Sequence, residues 1–259
     1  MGYSAKVIAD SIASGVRLTT LAITMPTLYW PEVLTHRKFS RNASSDRALP
    51  AGARIEQVRE DPFIPVVFYA ESRGMVPREP LGDQELARRR WLEERDEALI
   101  WATSQLLDGW HHEHINRLLT PWLWTTAIIS STEWENFFKL RLAPDAAEAI
   151  RTVAGLMRDA MDASTPVELQ PGQWHLPFID ADEKGGLPLN ISVARCARVS
   201  YLNHDGKVDV DRDLTLAKRL REEQHWSVFE HQATPQPEQR SSPSNFDWPW
   251  LQHRKILGG

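Results

Sequence analysis

The sequence predicts an α+β fold, and three observations carry that expectation. Residues 16–25 (VRLTTLAITM) are rich in β-branched side chains and read as a strand, while the stretch from 83 to 162 is dominated by helical periodicity. Residues 191–201 (ISVARCARVSY) read as a second strand, followed by one more helix. The order strand, helices, strand, helix lacks the regular alternation of a doubly wound sheet.

The elements follow in chain order. Pro26 and Thr27 open a short helix that carries Tyr29, Trp30, Val33 and Leu34 towards His36. Residues 40–52 are polar and turn-rich, hence a loop, and 61–74 (DPFIPVVFYAESRG) look extended. Residues 83 to 108 give the longest helical signal, with Leu92, Leu99, Ala102 and Leu106 at spacings of seven, three and four. A second helix covers HINRLL around Arg117. Thr132-x-x-Glu135 has the pattern of a capping box starting the helix TEWENFFKLRL. Asp145-x-x-Glu148 opens another helix, with Ile150, Val153, Ala154, Met157 and Met161 on one face. Residues 163–189 are rich in Pro and Gly and read as a linker; a helix is expected from 211 to 224 and a Pro/Ser/Gln-rich tail beyond 233.

Composition narrows the function classes. The formal charge of -5 argues against a surface devoted to nucleic acid, so any anion site is local and suits a small phosphorylated ligand. The single cysteine, Cys196, permits no intrachain disulfide and points to a reducing, cytoplasmic setting. No apolar run is long enough to span a bilayer, and no membrane partner is expected. Eleven tryptophans suit aromatic cores, planar-ligand pockets and subunit interfaces alike.

The densest cluster of candidate ligand donors is THRKFSRNASSDR, residues 35–47. Arginine offers a planar pair of donors to phosphate, and Ser and Asn add short donors. On composition alone a solvated polar loop is the better explanation of the stretch. The spacing goes further. His36-Arg37-x-x-Ser40-x-Asn42-x-x-Ser45-x-Arg47 resembles the signature R-H-R-x-x-S-x-N-x-x-S-x-R of flavin-dependent thymidylate synthases, with six of seven fixed positions matched and Thr35 in place of the first Arg.

Other blocks resemble the same family. NFFKLR, with Asn136, Leu140 and Arg141, is similar to its flavin- and nucleotide-contacting helix, and Arg117 in NRLLTP to a phosphate-binding arginine. ARVSY, ending in Ser200 and Tyr201, resembles a flavin-contacting strand. HWSVFEH, with His225 and Ser227, resembles H-x-[ST]-P-F-E-H, Val228 replacing the proline. The last two blocks normally precede the signature, so the chain looks circularly permuted; permutation is physically reasonable where termini lie close together. The resemblance implies one domain over 1–259, built on a small, mostly antiparallel sheet with a helical layer. Residues 15–162 would hold the signature and helices, 190–232 the permuted part and 233–259 a tail. Leu-x-His-Arg-Lys recurs at His253–Arg254–Lys255, as a second flavin-contacting element or as a basic tail packed on a neighbouring subunit; the N-terminal copy is favoured as the ligand site.

As the resemblance implies, the activity is transfer of a one-carbon unit from methylenetetrahydrofolate to C5 of dUMP, with FAD as cofactor and NADPH as reductant. His36, Arg37, Asn136, Leu140, Arg141, Ser200, His225 and Ser227 would hold FAD. Ser44, Ser45, Arg47, Arg117 and Arg141 would hold the pyrimidine deoxynucleotide monophosphate, and His225, Arg141 and Ser45 would stand nearest the chemistry. Family members are homotetramers with shared sites. Ala43, Asp46 and Asp145 depart from the family pattern around the base and flavin, which keeps two alternatives open: methylation or hydroxymethylation of another pyrimidine such as dCMP, and a catalytically silent flavin- or nucleotide-binding relative. Cys196 is expected to be a core thiol in an alternating strand rather than a nucleophile. HHEH, residues 111–114, lacks the H-E-x-x-H spacing of a metal site and reads as an exposed helix start, while RRRWLEER reads as a solvated helix face.

Overall fold

The computed structural model describes residues 2–74, 79–179, 187–201, 209–238 and 244–258. A hairpin opens the chain: β1 (Ser4–Ala13) turns into β2 (Val16–Pro26) through Ser14 and Gly15, at φ 48° and 78°. Two successive positive φ values suit the right-handed twist of a tight hairpin, and Gly15 takes the second without cost. β2 also pairs antiparallel with β4 (Trp124–Ser131), β4 with β3 (Ser40–Ala43), and β1 runs parallel to β5 (Val167–Glu168). The sheet order is β3-β4-β2-β1-β5.

Side-chain alternation sends successive residues to opposite faces. Leu21, Ile23 and Met25 of β2, with Ala127 and Ile129 of β4, meet Ile150, Val153, Ala154, Met157 and Met161 on α6 (Glu148–Asp162). These are the α6 residues that the sequence placed on one face. On the other side Ala22 and Ile128 meet Cys196 and Val199 beside α7 (Pro188–Arg198). α8 (Val210–Glu222) covers α7, where Asp213 pairs with Arg195 and Arg198. A separate helical cluster joins α2 (Ala51–Glu60), α3 (Gln84–Leu107) and α4 (His112–Leu118). Short α1 (Trp30–Leu34) and α5 (Glu135–Arg141) flank the sheet, and β6 (Ala233–Pro235), β7 (Trp250–Gln252) and α9 (His253–Ile256) close the chain.

Several expectations are corrected. ISVARCARVSY is not a strand: residues through Arg198 are α7, and Val199–Tyr201 form a 3-10 turn. Six of its residues from Ile191 to Ala197 are buried, so no polar face at helical spacing betrays it. Cys196 is therefore a core thiol of a helix. The 40–52 loop contains β3 and the start of α2. Neither capping box forms. Thr132 Oγ1 donates to Asp247 Oδ2 at 2.7 Å, α5 starts from Trp134, and α6 starts from Ala147, both without a side-chain cap. The 61–74 stretch, expected only to be extended, contains no helix and makes one isolated bridge, Tyr69 to Pro80. The 163–189 stretch contributes β5 and the buried His175; residues 180–186 lie outside the described ones. Strands β1 and β4 were not anticipated. By contrast Asp83 caps α3 through Leu86 N at 2.8 Å, close to its expected start.

Candidate functional site

Residues 35–47 leave α1, turn back, and enter the sheet as β3. Arg41 makes the turn: Nη1 donates to the carbonyl of Phe39 at 2.7 Å and Nη2 to that of Leu34 at 3.2 Å. Phe39 anchors the loop by packing on Trp134 and Phe137. Ser40 is buried; its Oγ accepts from Gln252 Nε2 at 2.8 Å and Asn245 Nδ2 at 3.3 Å. The C-terminal segment is thereby fastened to the loop. Lys38 reinforces this through Asp247 at 2.9 Å, and Asp247 also takes the Thr132 hydroxyl.

Arg141 joins α5 to this loop. Nη1 donates to Glu32 Oε2 at 2.8 Å, Nη2 to the Glu32 carbonyl and Thr35 Oγ1 at 3.1 Å each, and Nε to His36 Nε2 at 3.1 Å. A guanidinium only donates, so His36 Nε2 is unprotonated and the neutral ring carries its proton on Nδ1. Burial, then the charges of Arg141 and Arg41, hold the His36 pKa below its ordinary value. Thr35, standing where the signature has Arg, supplies an oxygen to Arg141 instead of a cation.

Two clefts meet at Arg37. The larger, about 470 Å³, is lined by Trp30, Phe39, Arg41, Asn42, Glu230 and Asn245 among others. The smaller, about 190 Å³, brings in His36 and Asn136. Arg37 is exposed between them and makes no hydrogen bond among the described residues. Arg41 Nε is buried without a partner at the larger cleft. A cationic cleft with aromatic walls and unspent donors suits a planar, anionic dinucleotide. Exposed Leu140 lies on the same helix as Asn136 and Arg141.

A second group forms where β3 ends. Ser44 Oγ bonds Thr125 Oγ1 at 2.7 Å, and the backbone N–H of Ser45 donates to the Ser200 carbonyl at 3.1 Å. This is where the 190–232 segment touches the 35–47 motif, through the 3-10 turn rather than a strand. Buried Arg54 reaches Ser44 Oγ at 3.4 Å and Asp46 Oδ1 at 3.6 Å. Arg47 and Arg117 both approach Glu113, at 3.6 and 2.9 Å. His111 caps α4 with its ring, as an exposed helix start.

The described contacts thus sort the predicted residues into two groups: His36, Arg37, Asn136 and Arg141 in one, Ser44, Ser45, Arg47, Arg117 and Ser200 in the other. Arg141 is engaged with α1 and not with Arg47 or Arg117. His225 and Ser227 join neither group; His225 is exposed and lies 3.2 Å from Glu223. Arg254 of the second HRK pairs with Glu230, which lines the Arg37 cleft. Glu32, Glu113, Glu230 and Asn245 were missed. Two of them had a signal in the sequence: Glu113 its i, i+4 spacing to Arg117, and Glu230 its place in the F-E-H of HWSVFEH.

No protein-family model and no curated protein matches the chain. Among solved structures, it is similar to the UMP/dUMP methylase PolB from Streptomyces cacaoi bound with 5-Br dUMP. That alignment has 14% identity, covers 62% of this chain and 90% of PolB, and gives a TM-score of 0.49. The 5-Br UMP complex of PolB gives 16% identity, 62% and 88% coverage, and a TM-score of 0.47.

Proposed function

We propose that this chain is a flavin-dependent methylase of a pyrimidine nucleotide, a circularly permuted relative of the flavin-dependent thymidylate synthases. Its leading reaction is one-carbon transfer from methylenetetrahydrofolate to C5 of dUMP. The observation that carries the reading is the knot of Arg141 on Glu32, Thr35 and His36, with Arg37 and Asn136 on one cleft wall. Two blocks that resembled the family separately in sequence meet in space. The Ser45–Ser200 contact, which joins the permuted segment to the motif, supports the rearranged order.

FAD, when bound, would supply the redox chemistry and mediate carbon transfer, with NADPH as the source of electrons. The chain's own residues would bind and orient. Arg37 and Arg41 offer free N–H groups to an anion; Trp30 and Phe39 offer apolar walls; neutral His36 offers a ring proton at Nδ1. Arg47 and Arg117, from separate segments, would bind the nucleotide phosphate. An exposed apolar stripe on and after α3, with Ile100, Trp101, Leu107 and Trp110 at 52–82% exposure, supports self-association.

Flavin absorbance of the purified protein, followed by anaerobic NADPH bleaching, tests the cofactor. A panel of UMP, dUMP and dCMP with labelled methylenetetrahydrofolate, read by mass spectrometry, tests the transfer. Label at C5 of dUMP is expected. Flavin-free protein with no labelled product from any nucleotide sinks the proposal, and label only on dCMP replaces the substrate.

A further inference from the structure

Glu113 occupies the space between two guanidiniums assigned here to the nucleotide phosphate. Its Oε2 lies 3.6 Å from Arg47 Nε and its Oε1 2.9 Å from Arg117 Nη2, so each oxygen serves one arginine. The cations are open to solvent, with side chains 74% and 61% exposed, whereas the carboxylate is 23% exposed. Two cations from separate segments facing one two-oxygen acceptor make an oxyanion receptor. Here the chain's own side chain fills it.

The receptor does not depend on Glu113 for its shape. His112 Nε2 lies 2.6 Å from the Arg47 carbonyl, to which it can only donate. Asn116 Nδ2 donates to the carbonyls of Asp46 and Leu49 at 2.9 and 2.8 Å. Both residues lie on α4 with Glu113 and Arg117, so the helix holds the 46–49 backbone through side chains other than Glu113 and leaves the carboxylate free to swing away.

We propose that Glu113 is a built-in competitor for the phosphate: a ligand binds by displacing this carboxylate from Arg47 and Arg117. The inference rests on the proposed phosphate role of those arginines. It makes Glu113 a residue that sets the affinity of this site for anions. A dianionic phosphomonoester gains more from two guanidiniums than the carboxylate it displaces, while a carboxylate or phosphodiester, with one charge, gains little. The favoured ligand is a nucleoside monophosphate.

Calorimetric titration of dUMP, deoxyuridine and 3′,5′-cyclic dUMP into wild type, Glu113→Gln and Arg117→Ala decides it. Exposed ion pairs are each worth up to a few-fold in binding, so Glu113→Gln should tighten dUMP by roughly two- to tenfold. Deoxyuridine should be unchanged, and the cyclic diester, which meets the same competitor, should tighten no more than dUMP does. The gain should shrink as salt is raised. If dUMP binding depends on Arg117 but Glu113→Gln leaves it equal or weaker, Glu113 only positions the arginines and this inference alone fails. If Arg117→Ala weakens dUMP and deoxyuridine equally, the phosphate role itself fails, and the inference with it.

Discussion

Acid should unfold this protein through its buried histidines before its paired carboxylates are protonated. Ser11, His175, Thr20, Ser130 and His231 form a buried chain of contacts of 2.9, 2.7, 2.6 and 2.9 Å across the α7 side of the sheet. His231 Nε2 ends the chain without a partner. A bare acceptor costs less than a bare N–H, so His231 donates from Nδ1 to Ser130, Ser130 to Thr20, Thr20 to His175 Nε2, and His175 Nδ1 to Ser11. Both rings are neutral. Burial pushes each down to about 3, with His175 adding to the effect at His231 and Asp10 weakly opposing it at His175. His253 is pushed down to about 4 by burial and then by Arg221. Because the folded pKa values lie below the unfolded value near 6.5, the unfolded chain takes up protons first. The stabilisation is complete above pH 6.5 and is lost as pH falls towards the folded values. Each histidine removes about 1.4 kcal/mol per pH unit, so His175 and His231 together cost roughly 5 kcal/mol by pH 4.5, comparable to the stability of a whole domain. The assay is urea unfolding at intervals from pH 7.5 to 4.5. His231→Asn keeps a donor near Nδ1 and removes one titration. It should be less stable at pH 7.5 through lost packing, but its acid slope should be shallower by about 1.4 kcal/mol per unit. An unchanged slope in the variant, or pH-independent stability across this range, would refute the neutral-histidine argument.

Three further outcomes follow from the site. Arg37→Ala should reduce flavin retained through purification more than Arg254→Ala, whose guanidinium already serves Glu230; absorbance per chain reads this, and the opposite order would reassign the two HRK copies. Cys196→Ser should keep substantial turnover, because burial raises the thiol pKa and its hydrogen-bond partners among the described residues, Ser192 and Gln232, are not bases; complete loss with flavin bound would count against the mechanism. Arg141→Gln removes one cause of the depressed His36 titration, so the His36 NMR midpoint should move up, and an unmoved midpoint would leave burial and Arg41 as the causes and refute the contribution of Arg141.

The elements most legible in the sequence were those with a long helical period or a start signal that holds. α6 declared itself through Ile150, Val153, Ala154, Met157 and Met161, and α3 through its periodicity and Asp83. α7 failed the same test because it is buried nearly all round, and its β-branched Ile191, Val193 and Val199 imitate a strand. The first capping box failed because Thr132 is taken by Asp247, 115 residues away, which no local pattern reveals, and the second because α6 starts two residues after Asp145, from Ala147. At the site, exact motif spacing carried more information than composition. It picked out His36, Arg37, Asn136 and Arg141 from segments a hundred residues apart, and the structure brings them together. Glu32 and Asn245 were missed because each matters only through where it packs, whereas Glu230 stood inside the HWSVFEH block without being assigned a role.

The fastening of Ser40 by Gln252 spans 212 residues, so the first part of the site to be synthesised waits for the last. On the ribosome, residues 35–47 emerge early, and the hairpin and β4 can assemble around them before the tail exists. Until residues 245–254 leave the exit tunnel, Ser40 has neither of its side-chain partners, and Asn245 is missing from the cleft wall. Translation therefore sets the order of events: a nascent chain stopped short of Asn245 can hold its central strands, but the finished cleft belongs only to one in which residues 245–254 have emerged.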